Sequence, residues 1–199
     1  MELVIATKNV HKAREFRAML QNIPQLDIVT LHAFPQYIPP EETGYTFQEN
    51  AQSKAEHAAR ILSKWVLADD SGLVVPALKG EPGIRSRRYA SDSATDAENR
   101  KKLLKAMQNL AGIERSAYFE CALCLANPQG VQKVVTGTCE GEISEEEHGN
   151  NGFGYDAVFS KYDYGGKTFA ELPEEVKNRV SHRGKAIEKM SLHLHALSH

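Results

Sequence analysis

The sequence predicts an α/β protein in which helices flank a mixed β-sheet. The chain begins with a short apolar strand, a polar turn and an amphipathic helix, which is the usual opening of an α/β unit. Strand-like segments with a hairpin turn follow in the second half, and the last part of the chain is helical. Neither a repeat nor a linker is visible. We therefore expect a single domain over residues 1–199, with two lobes on a shared sheet and functional loops between them.

The composition is that of a globular protein. Hydrophobic residues make up 41% and charged residues 25% of the 199 residues, which excludes a disordered or fibrous chain. The 24 basic and 26 acidic residues give a net charge of −2, whereas a protein that wraps nucleic acid would show a basic excess. We expect no nucleic-acid partner, although a local cluster of cations could still bind a phosphorylated small molecule.

Several features concern the cellular compartment. Three cysteines are too few for a disulfide framework, which favours a reducing environment. No run approaches the roughly 18 consecutive apolar residues that a membrane span needs. The N-terminus lacks the basic start and long apolar stretch of a signal peptide. We expect a cytoplasmic protein with no membrane partner.

The first elements follow from apolar spacing and from proline. Residues 3–6 form an apolar run typical of a buried strand, and a helical pattern begins after Asn9. Residues 32–45 are rich in proline, so we expect a loop there. This loop carries Glu41 and Glu42 to the start of the next helix.

Two helices are predicted to begin at capping boxes, in which a hydroxyl and a carboxylate each accept a backbone N–H. Thr46 with Glu49 marks the first box, and Thr95 with Glu98 marks the second. Between them, residues 65–68 are apolar and favour another short strand. Strand, helix and strand therefore alternate, as an α/β class requires.

The second half of the chain is predicted to be richer in strands. The predicted strands are residues 117–125, 132–138, 141–144 and 157–160. A hairpin turn is expected at residues 127–130, between the first two of them. A glycine-rich segment at residues 149–154 precedes the last strand. The C-terminal region is expected to be helical, in two pieces around Ser181.

Polar residues follow the first strand, where the first helix is expected to begin. A helix N-terminus presents free N–H groups and the positive end of the dipole, so it can bind an anion. Thr7 and Asn9 add short polar groups, and Lys12 adds a full charge one turn later. The segment lacks the glycines of a Walker A loop. The alternative is an N-cap followed by a solvated lysine.

Asp69 and Asp70 end the apolar strand that precedes them. Adjacent carboxylates on a strand point to opposite faces, so both reach one cleft only where the strand breaks, and we expect Gly72 to break it. Two carboxylates near phosphate oxygens can form a Mg²⁺ site, because this ion takes oxygen ligands. Glu41 and Glu42 are natural additional ligands. The alternative is a polar turn.

Three further segments could contact a ligand, and each has a structural alternative. Residues 85–88 hold three arginines, which suit phosphate but are more often solvated or in salt bridges. Phe153 lies between two glycines and could stack on a planar ligand, or it could be a core aromatic at a strand entry. Lys177 and residues 181–184 carry donors that could recognise the edge of a base, or the segment could only cap a helix.

Two sets of metal-ligating residue types are expected to have other roles. Cys121 and Cys124 are three residues apart on a predicted strand, so their side chains point to opposite faces and favour the core over zinc or redox chemistry. His193, His195 and His199 lie on the tail of the last helix, where we expect solvated side chains.

Taken together and in this order, the motifs match one protein family. They are Thr7-x-Asn9-x-x-Lys12, Glu41-Glu42-Thr43-Gly44, Phe47-x-Glu49-Asn50-Ala51, Ala68-Asp69-Asp70-Ser71-Gly72-Leu73, Pro82-Gly83-Ile84, Gly152-Phe153-Gly154-Tyr155-Asp156 and Ser181-His182-Arg183-Gly184. Over residues 4–186 the sequence resembles the inosine triphosphate pyrophosphatase family, the dITP/XTP pyrophosphatases that remove damaged purine nucleotides. Its bacterial members look most similar.

The resemblance implies a long curved mixed sheet, a cleft between two lobes, a homodimer, and Mg²⁺-dependent hydrolysis of ITP, dITP and XTP to the monophosphate and pyrophosphate. Such an enzyme keeps deaminated purines out of DNA and RNA. By the family pattern, Asp70 is the catalytic base and a metal ligand and Glu41 assists the metal, while the carboxylate pair keeps Asp69 as a further candidate ligand. The implied substrate-binding residues are Thr7, Lys8, Asn9, Val10, His11, Lys12, Ser71, Phe153, Gly154, Tyr155, Asp156, Lys177, His182 and Arg183.

The sequence departs from the family pattern at a few positions. Lys8 and His11 replace glycines that are common in close bacterial relatives, and Arg87 stands where a small residue is usual. Residues 91–93 lack a glycine often seen there. None of these changes removes a matched functional residue.

Two other functions stay open: a pyrophosphatase of the same fold that prefers modified pyrimidines, and a non-catalytic nucleotide-binding module.

Overall fold

Six strands, five α-helices and five short 3₁₀ helices make up the regular structure of residues 1–197, the part of the chain that the computed structural model describes. The strands are β1 (Glu2–Ile5), β2 (Asp27–Thr30), β3 (Trp65–Val74), β4 (Ser116–Asn127), β5 (Gly130–Ile143) and β6 (Phe159–Lys161). The helices are α1 (Val10–Leu20), α2 (Phe47–Leu62), α3 (Asp96–Met107), α4 (Glu174–Val180) and α5 (His182–Ala196). No helix in this part of the chain is long and apolar enough to span a membrane.

The strands form one mixed sheet in the order β2-β1-β3-β4-β5-β6. β1 pairs in parallel with β2 and with β3, and α1 and α2 lie in the connections between these strands. Parallel neighbours need such long crossover connections. At the other edge β5 and β6 are antiparallel. The predicted α/β class and the mixed sheet are confirmed.

The chain divides into two compact units. Unit 1 contains residues 1–70, residues 121–137 and the chain from Arg183 onward, and unit 2 contains residues 71–120 and 138–182. The core of unit 1 is mainly aliphatic, with β1 and β3 packed against α1 and α5. The core of unit 2 is built around Phe119, Phe159 and Phe169, whose ring centroids lie 4.8 to 6.0 Å apart.

Side-chain caps define where the first three helices begin. Asn9 Oδ1 accepts the backbone N–H groups of His11 and Lys12 at the start of α1. Thr95 and Glu98 form the predicted capping box at α3. The predicted box at α2 is only half present, because Thr46 caps the helix while Glu49 accepts from the backbone of Tyr45 instead of Thr46.

The strand boundaries correct two predictions and add one strand. Gly72 does not break the strand, because β3 continues to Val74 with both of its aspartates inside it. β2, at the edge of the sheet, is not predicted from the sequence pattern. The two short strands expected on either side of Gly141 are one strand, β5. A Cβ at Gly141 would lie 2.3 Å from the carbonyl oxygen of Ser160, so glycine permits the close pairing with β6.

Candidate active site

The segment between β1 and α1 folds into a turn held by its own side chains. Thr7, which is buried, accepts the backbone N–H of Asn9 at its Oγ1 at 3.1 Å. Asn9 Oδ1 accepts from the backbone of His11 at 2.9 Å and of Lys12 at 3.2 Å. The side chains of Lys8, Val10 and His11 are exposed. The cap predicted as the structural alternative is therefore present, together with a lysine one turn into the helix.

A buried ionic network joins α1, β3 and α5 within unit 1. Lys12 Nζ lies 2.7 Å from Asp69 Oδ2, and Arg183 Nη2 lies 3.3 Å from the same oxygen. The other terminal nitrogen of Arg183 pairs with Glu15. Asp69, Arg183 and Glu15 are all less than 7% exposed. Two cations and two carboxylates thus compensate one another, which burial of charge requires.

Asp70 belongs to a second cluster in the same unit. Lys54 Nζ donates to Asp70 Oδ1 at 2.9 Å and to Glu42 Oε1 at 3.1 Å. Asn50 Nδ2 donates to Asp70 Oδ2 at 3.2 Å, and Asn50 Oδ1 accepts the backbone N–H of Gly44 at 2.8 Å. Helix α2 therefore fastens the loop before it to the Asp70 carboxylate.

The two aspartates have pKa values shifted in opposite directions. Burial alone would raise the pKa of Asp69, but Lys12, Arg183 and Lys54 outweigh it and hold this pKa well below its usual range. Burial raises the pKa of Asp70, and the nearby lysines only partly oppose that shift. Burial would lower the pKa of Lys54, yet the carboxylates of Asp70, Asp69 and Glu42 raise it. Lys54 is a cation at neutral pH.

Asp70 and Glu42 are the carboxylates of this cluster that could help to hold a Mg²⁺ ion. Mg²⁺ is usually held by one or two carboxylates and by phosphate oxygens, and it keeps several waters. Asp70 and Glu42 converge on the same lysine nitrogen, so they face one point. Among residues 1–197 no group of three or more His, Cys, Asp or Glu side chains could hold a metal ion. A metal ion bound in this cluster would therefore need other ligands, such as phosphate oxygens and water.

Some residues of these clusters are not predicted from the sequence. Lys54 is assigned no role there, and Asn50 appears only inside a family motif. Their four-residue spacing places them on one face of α2, next to the buried alanines. A pair of polar residues on the face of a helix that packs against the core is the sequence signal that could identify them. Glu15, three residues after Lys12 and buried, carries a similar signal on α1.

Unit 2 brings together several of the residues predicted to bind the nucleoside. Asp156 Oδ2 accepts the backbone N–H of Phe153 at 2.9 Å and Lys177 Nζ at 2.5 Å. Lys177 Nζ also lies 4.9 Å from the centroid of the Phe153 ring. Asp156 and Lys177 are buried, whereas Phe153 is partly exposed. A Cβ at Gly152 would lie 2.1 Å from Asp156 Oδ2, so the close approach of this carboxylate needs a glycine.

The remaining predicted residues of unit 2 have different degrees of exposure. Tyr155 is buried and donates its hydroxyl to the carbonyl of Ser86 at 2.7 Å. The buried His182 stacks on Phe119, with ring centroids 4.7 Å apart and an angle of 14° between planes. Ser71, in β3, is partly exposed. Arg183 lies in unit 1, where the buried network described above engages it.

Gly154 is held by two residues in the first two turns of α3. Its backbone N–H donates to Asp96 Oδ2 at 2.7 Å, and its carbonyl accepts from Arg100 Nη1 at 2.8 Å. Arg100 Nε also lies 2.9 Å from Glu147 Oε2. Neither Asp96 nor Arg100 is singled out by the sequence. Their four-residue spacing along one helix face is the only local signal they share.

The cysteines and histidines expected to have no ligand role, and the arginine-rich segment, differ in burial. Cys121 and Cys124 are free thiols buried in β4, as expected. Arg85, in the arginine-rich segment, is exposed and lies 3.8 Å from Asp92. His193 is partly buried and His195 is exposed in α5, while His199 lies outside the described residues.

Comparison with known proteins gives concordant matches. A sequence model of the Ham1 family matches residues 3–193. The dITP/XTP pyrophosphatase of Protochlamydia amoebophila (strain UWE25) is 58% identical, covering 99% of both chains. That of Chlamydia abortus (strain DSM 27085 / S26/3) is 50% identical over 99% of this chain and 96% of that protein. The solved structure of a HAM1 protein from Coxiella burnetii matches with a TM-score of 0.87, 41% identity and 98% coverage of each chain.

Proposed function

The chain belongs to the Ham1 family, and on that premise we propose that it hydrolyses ITP, dITP and XTP to the nucleoside monophosphate and pyrophosphate. The observation that most supports this function is the pair of ionic clusters in unit 1. Lys12, in the first turn of α1, pairs with Asp69, and Lys54 pairs with the adjacent residue Asp70. Triphosphate hydrolysis needs this combination of cations and an acidic group.

The triphosphate is assigned to the turn before α1. Residues 7–11 lie at the positive end of the α1 dipole, which favours phosphate, and the side chains of Thr7 and Asn9 hold the turn in place. Lys12 adds a full charge, and its pairing with Asp69 keeps its amino group near the start of the helix. Because Lys12 is only a cation in this role, it stabilises charge and transfers no proton.

Asp70 is assigned the roles of catalytic base and metal ligand. Its carboxylate would accept a proton from the attacking water and orient that water toward the phosphate. The burial that raises its pKa makes the carboxylate a stronger base. Lys54 and Asn50 fix its two oxygens, so the carboxylate is held in one orientation.

The proposed cofactor is Mg²⁺, held by Asp70 with an acidic residue of the loop before α2. Glu41 is the ligand implied by the family pattern, and Glu42 is the residue whose carboxylate lies near Lys54. Asp69 is a weaker candidate because it is more deeply buried than Asp70, 2% against 8% exposed, and two cations pair with it. When bound, Mg²⁺ supplies positive charge to the phosphate oxygens and to the pyrophosphate leaving group.

The base is assigned to the cluster around Phe153 in unit 2. The ring would stack on the purine, with Lys177 and Asp156 fixing its surroundings. Hypoxanthine and xanthine present an O6 acceptor where adenine presents an N6 donor, so a donor such as His182 would favour the oxo group. Arg183, also implied by the family pattern, is a weaker candidate because Glu15 and Asp69 already engage its guanidinium. Adenine would leave a buried donor unmatched, which costs about 1–3 kcal/mol.

The proposed setting is the cytoplasm, where a homodimer would remove deaminated purine nucleotides from the precursor pool. An enzyme with this role must act before a polymerase incorporates the altered base. Removal of the terminal pyrophosphate suits that role, because a monophosphate is not a polymerase substrate. No nucleic-acid or membrane partner is needed for it.

The test is a panel of nucleotides assayed with and without Mg²⁺. The purified protein is incubated with ITP, XTP, GTP, ATP, dTTP and UTP, and the monophosphate and pyrophosphate are quantified separately from inorganic phosphate. We expect fast, Mg²⁺-dependent release of pyrophosphate from ITP and XTP. Faster turnover of dTTP or UTP than of ITP would establish a pyrimidine preference. Binding of ITP without any pyrophosphate release would establish a non-catalytic module.

A further inference from the structure

We propose that Asp96 and Arg100, here called the α3 clamp, are positioning residues that fix the Phe153 ring for stacking on the base. The α3 clamp holds both polar groups of Gly154, the residue directly after Phe153. This inference rests on the proposed function, because it takes the ring as the surface on which the base stacks.

The loop needs such restraint because of its glycines. Gly152 has φ +76° and Gly154 has φ +62°, and both values lie in the left-handed region that glycine enters freely. Two glycines around one aromatic residue leave its backbone with many alternative conformations, which lowers the population of the one that binds. Hydrogen bonds from a neighbouring helix reduce that freedom before the ligand arrives.

The backbone of Phe153 is restrained from both directions. On one side Asp156 accepts the N–H of Phe153 at Oδ2, and its own N–H donates to the carbonyl of Phe153. On the other side the N–H of Gly154 belongs to the peptide that follows Phe153, and Asp96 accepts it. Arg100 then fixes the carbonyl of Gly154, so two consecutive peptide planes after Phe153 are oriented.

The α3 clamp is itself anchored to a well-defined helix. The capping box of Thr95 and Glu98 fixes the first turn of α3, which carries Asp96. Arg100, one turn later, is also paired with Glu147, and its side chain is only 17% exposed. Asn99, between them, is buried and bonds to the backbone of Arg87 and Ala90. The α3 clamp therefore connects a capped helix to the glycine-containing loop.

The first experiment compares Asp96→Ala and Arg100→Met with the unaltered protein. Affinity is measured for ITP without Mg²⁺, so that no turnover is needed, and for inorganic pyrophosphate, which has no base. We expect ITP affinity to fall about three- to tenfold, the effect of one or two lost hydrogen bonds, with pyrophosphate affinity unchanged. In turnover assays the same variants should raise KM and leave kcat within about twofold.

Matched variants distinguish positioning from a general loss of structure. Asp96→Asn keeps an acceptor for the Gly154 N–H and should restore ITP affinity to within about twofold of the unaltered protein. Lys101→Met, at an exposed position on the same helix, should have no effect. In a double-mutant cycle, Asp96→Ala should add no further loss to Phe153→Ala, because the α3 clamp acts through that ring.

Three results would overturn the inference: equal losses for ITP and pyrophosphate, additive losses in the cycle, or an unaltered protein that does not bind ITP. Failure of the proposed function is seen separately, as an absence of pyrophosphate release by the unaltered protein with Mg²⁺. If that happens while ITP still binds, the affinity measurements still decide whether the α3 clamp positions Phe153.

Discussion

Asp69 and Asp70 are adjacent in the chain, but their carboxylates bind different cations. Asp69 is paired with Lys12 and Arg183, and Asp70 is paired with Lys54. At Asp69 the nearby cations outweigh burial and lower the pKa, whereas at Asp70 burial dominates and raises the pKa. We infer different roles for them: Asp69 orients Lys12, the lysine proposed to bind phosphate, and Asp70 is the proposed catalytic base.

The substitution Asp70→Asn should abolish turnover without unfolding the protein. An amide would keep the shape of the side chain but could not accept a proton from water, and general base catalysis contributes about 10²- to 10⁴-fold. We expect kcat/KM for ITP to fall by at least that range, with an unchanged circular dichroism spectrum. Asp92→Asn, at an exposed position, is the control. Activity near that of the unaltered enzyme would remove Asp70 from the mechanism.

Replacing Phe153 by alanine should weaken the binding of ITP but not of pyrophosphate. Stacking of a base on an aromatic ring contributes about 1–3 kcal/mol, so the Kd for ITP should rise about tenfold or more. Calorimetric titration of both ligands measures the two effects, and Tyr162→Ala, an exposed aromatic position of unit 2, serves as the control. If both ligands lose affinity equally, Phe153 is a core residue instead.

Two glutamates in ion pairs should differ in their contributions to stability. Glu15→Gln weakens the buried pair with Arg183, and breaking a buried pair typically costs about 3–5 kcal/mol. Glu2→Gln weakens a pair with Lys64 in which both side chains are 37% exposed, so we expect less than about 1 kcal/mol. Urea denaturation of both variants checks the difference. Similar losses for the two would mean that the Glu15 pair contributes no more than a surface pair.

The low pKa of Asp69 predicts a specific loss of stability in acid. Since its pKa in the folded state lies below the value in the unfolded chain, about 3.9, the native state binds fewer protons. Its stabilising contribution is complete above that value and declines as the pH falls toward the folded pKa. The free energy of unfolding, measured by urea titration between pH 6 and pH 3, should fall less steeply in Asp69→Asn than in the unaltered protein. Parallel curves would contradict the assignment.

The buried thiols should be unreactive in the native protein. Burial raises the pKa of Cys121 and of Cys124 to about 12, so thiolate is scarce at pH 8, and Cys139 is buried as well. We expect a thiol reagent such as Ellman's to modify the native protein only as fast as it unfolds, and to modify all three cysteines in guanidinium chloride. Rapid modification of one thiol in the native state would disprove its burial.

Local signals in the sequence predict much of the fold but less of the site. Capping residues mark the starts of α1 and α3 because a cap acts within four residues. The continuation of β3 through Gly72 depends on sheet neighbours that no local pattern describes. The pairing of Glu15 with Arg183 joins residues 168 positions apart, so only the folded chain brings them together. Lys12 and Asp70 are predicted as one site, and both are found in unit 1.

The discontinuous path of unit 1 has a consequence for synthesis on the ribosome. Arg183 completes the buried network with Glu15 and Asp69, yet it is translated after all of residues 71–182. A nascent chain therefore carries those two acidic groups without their guanidinium partner while the intervening residues are being made, and domains generally form as whole units. The buried carboxylates of Glu15 and Asp69 therefore gain their guanidinium partner late in synthesis. A chain interrupted before Arg183 cannot complete the network to which Lys12 belongs.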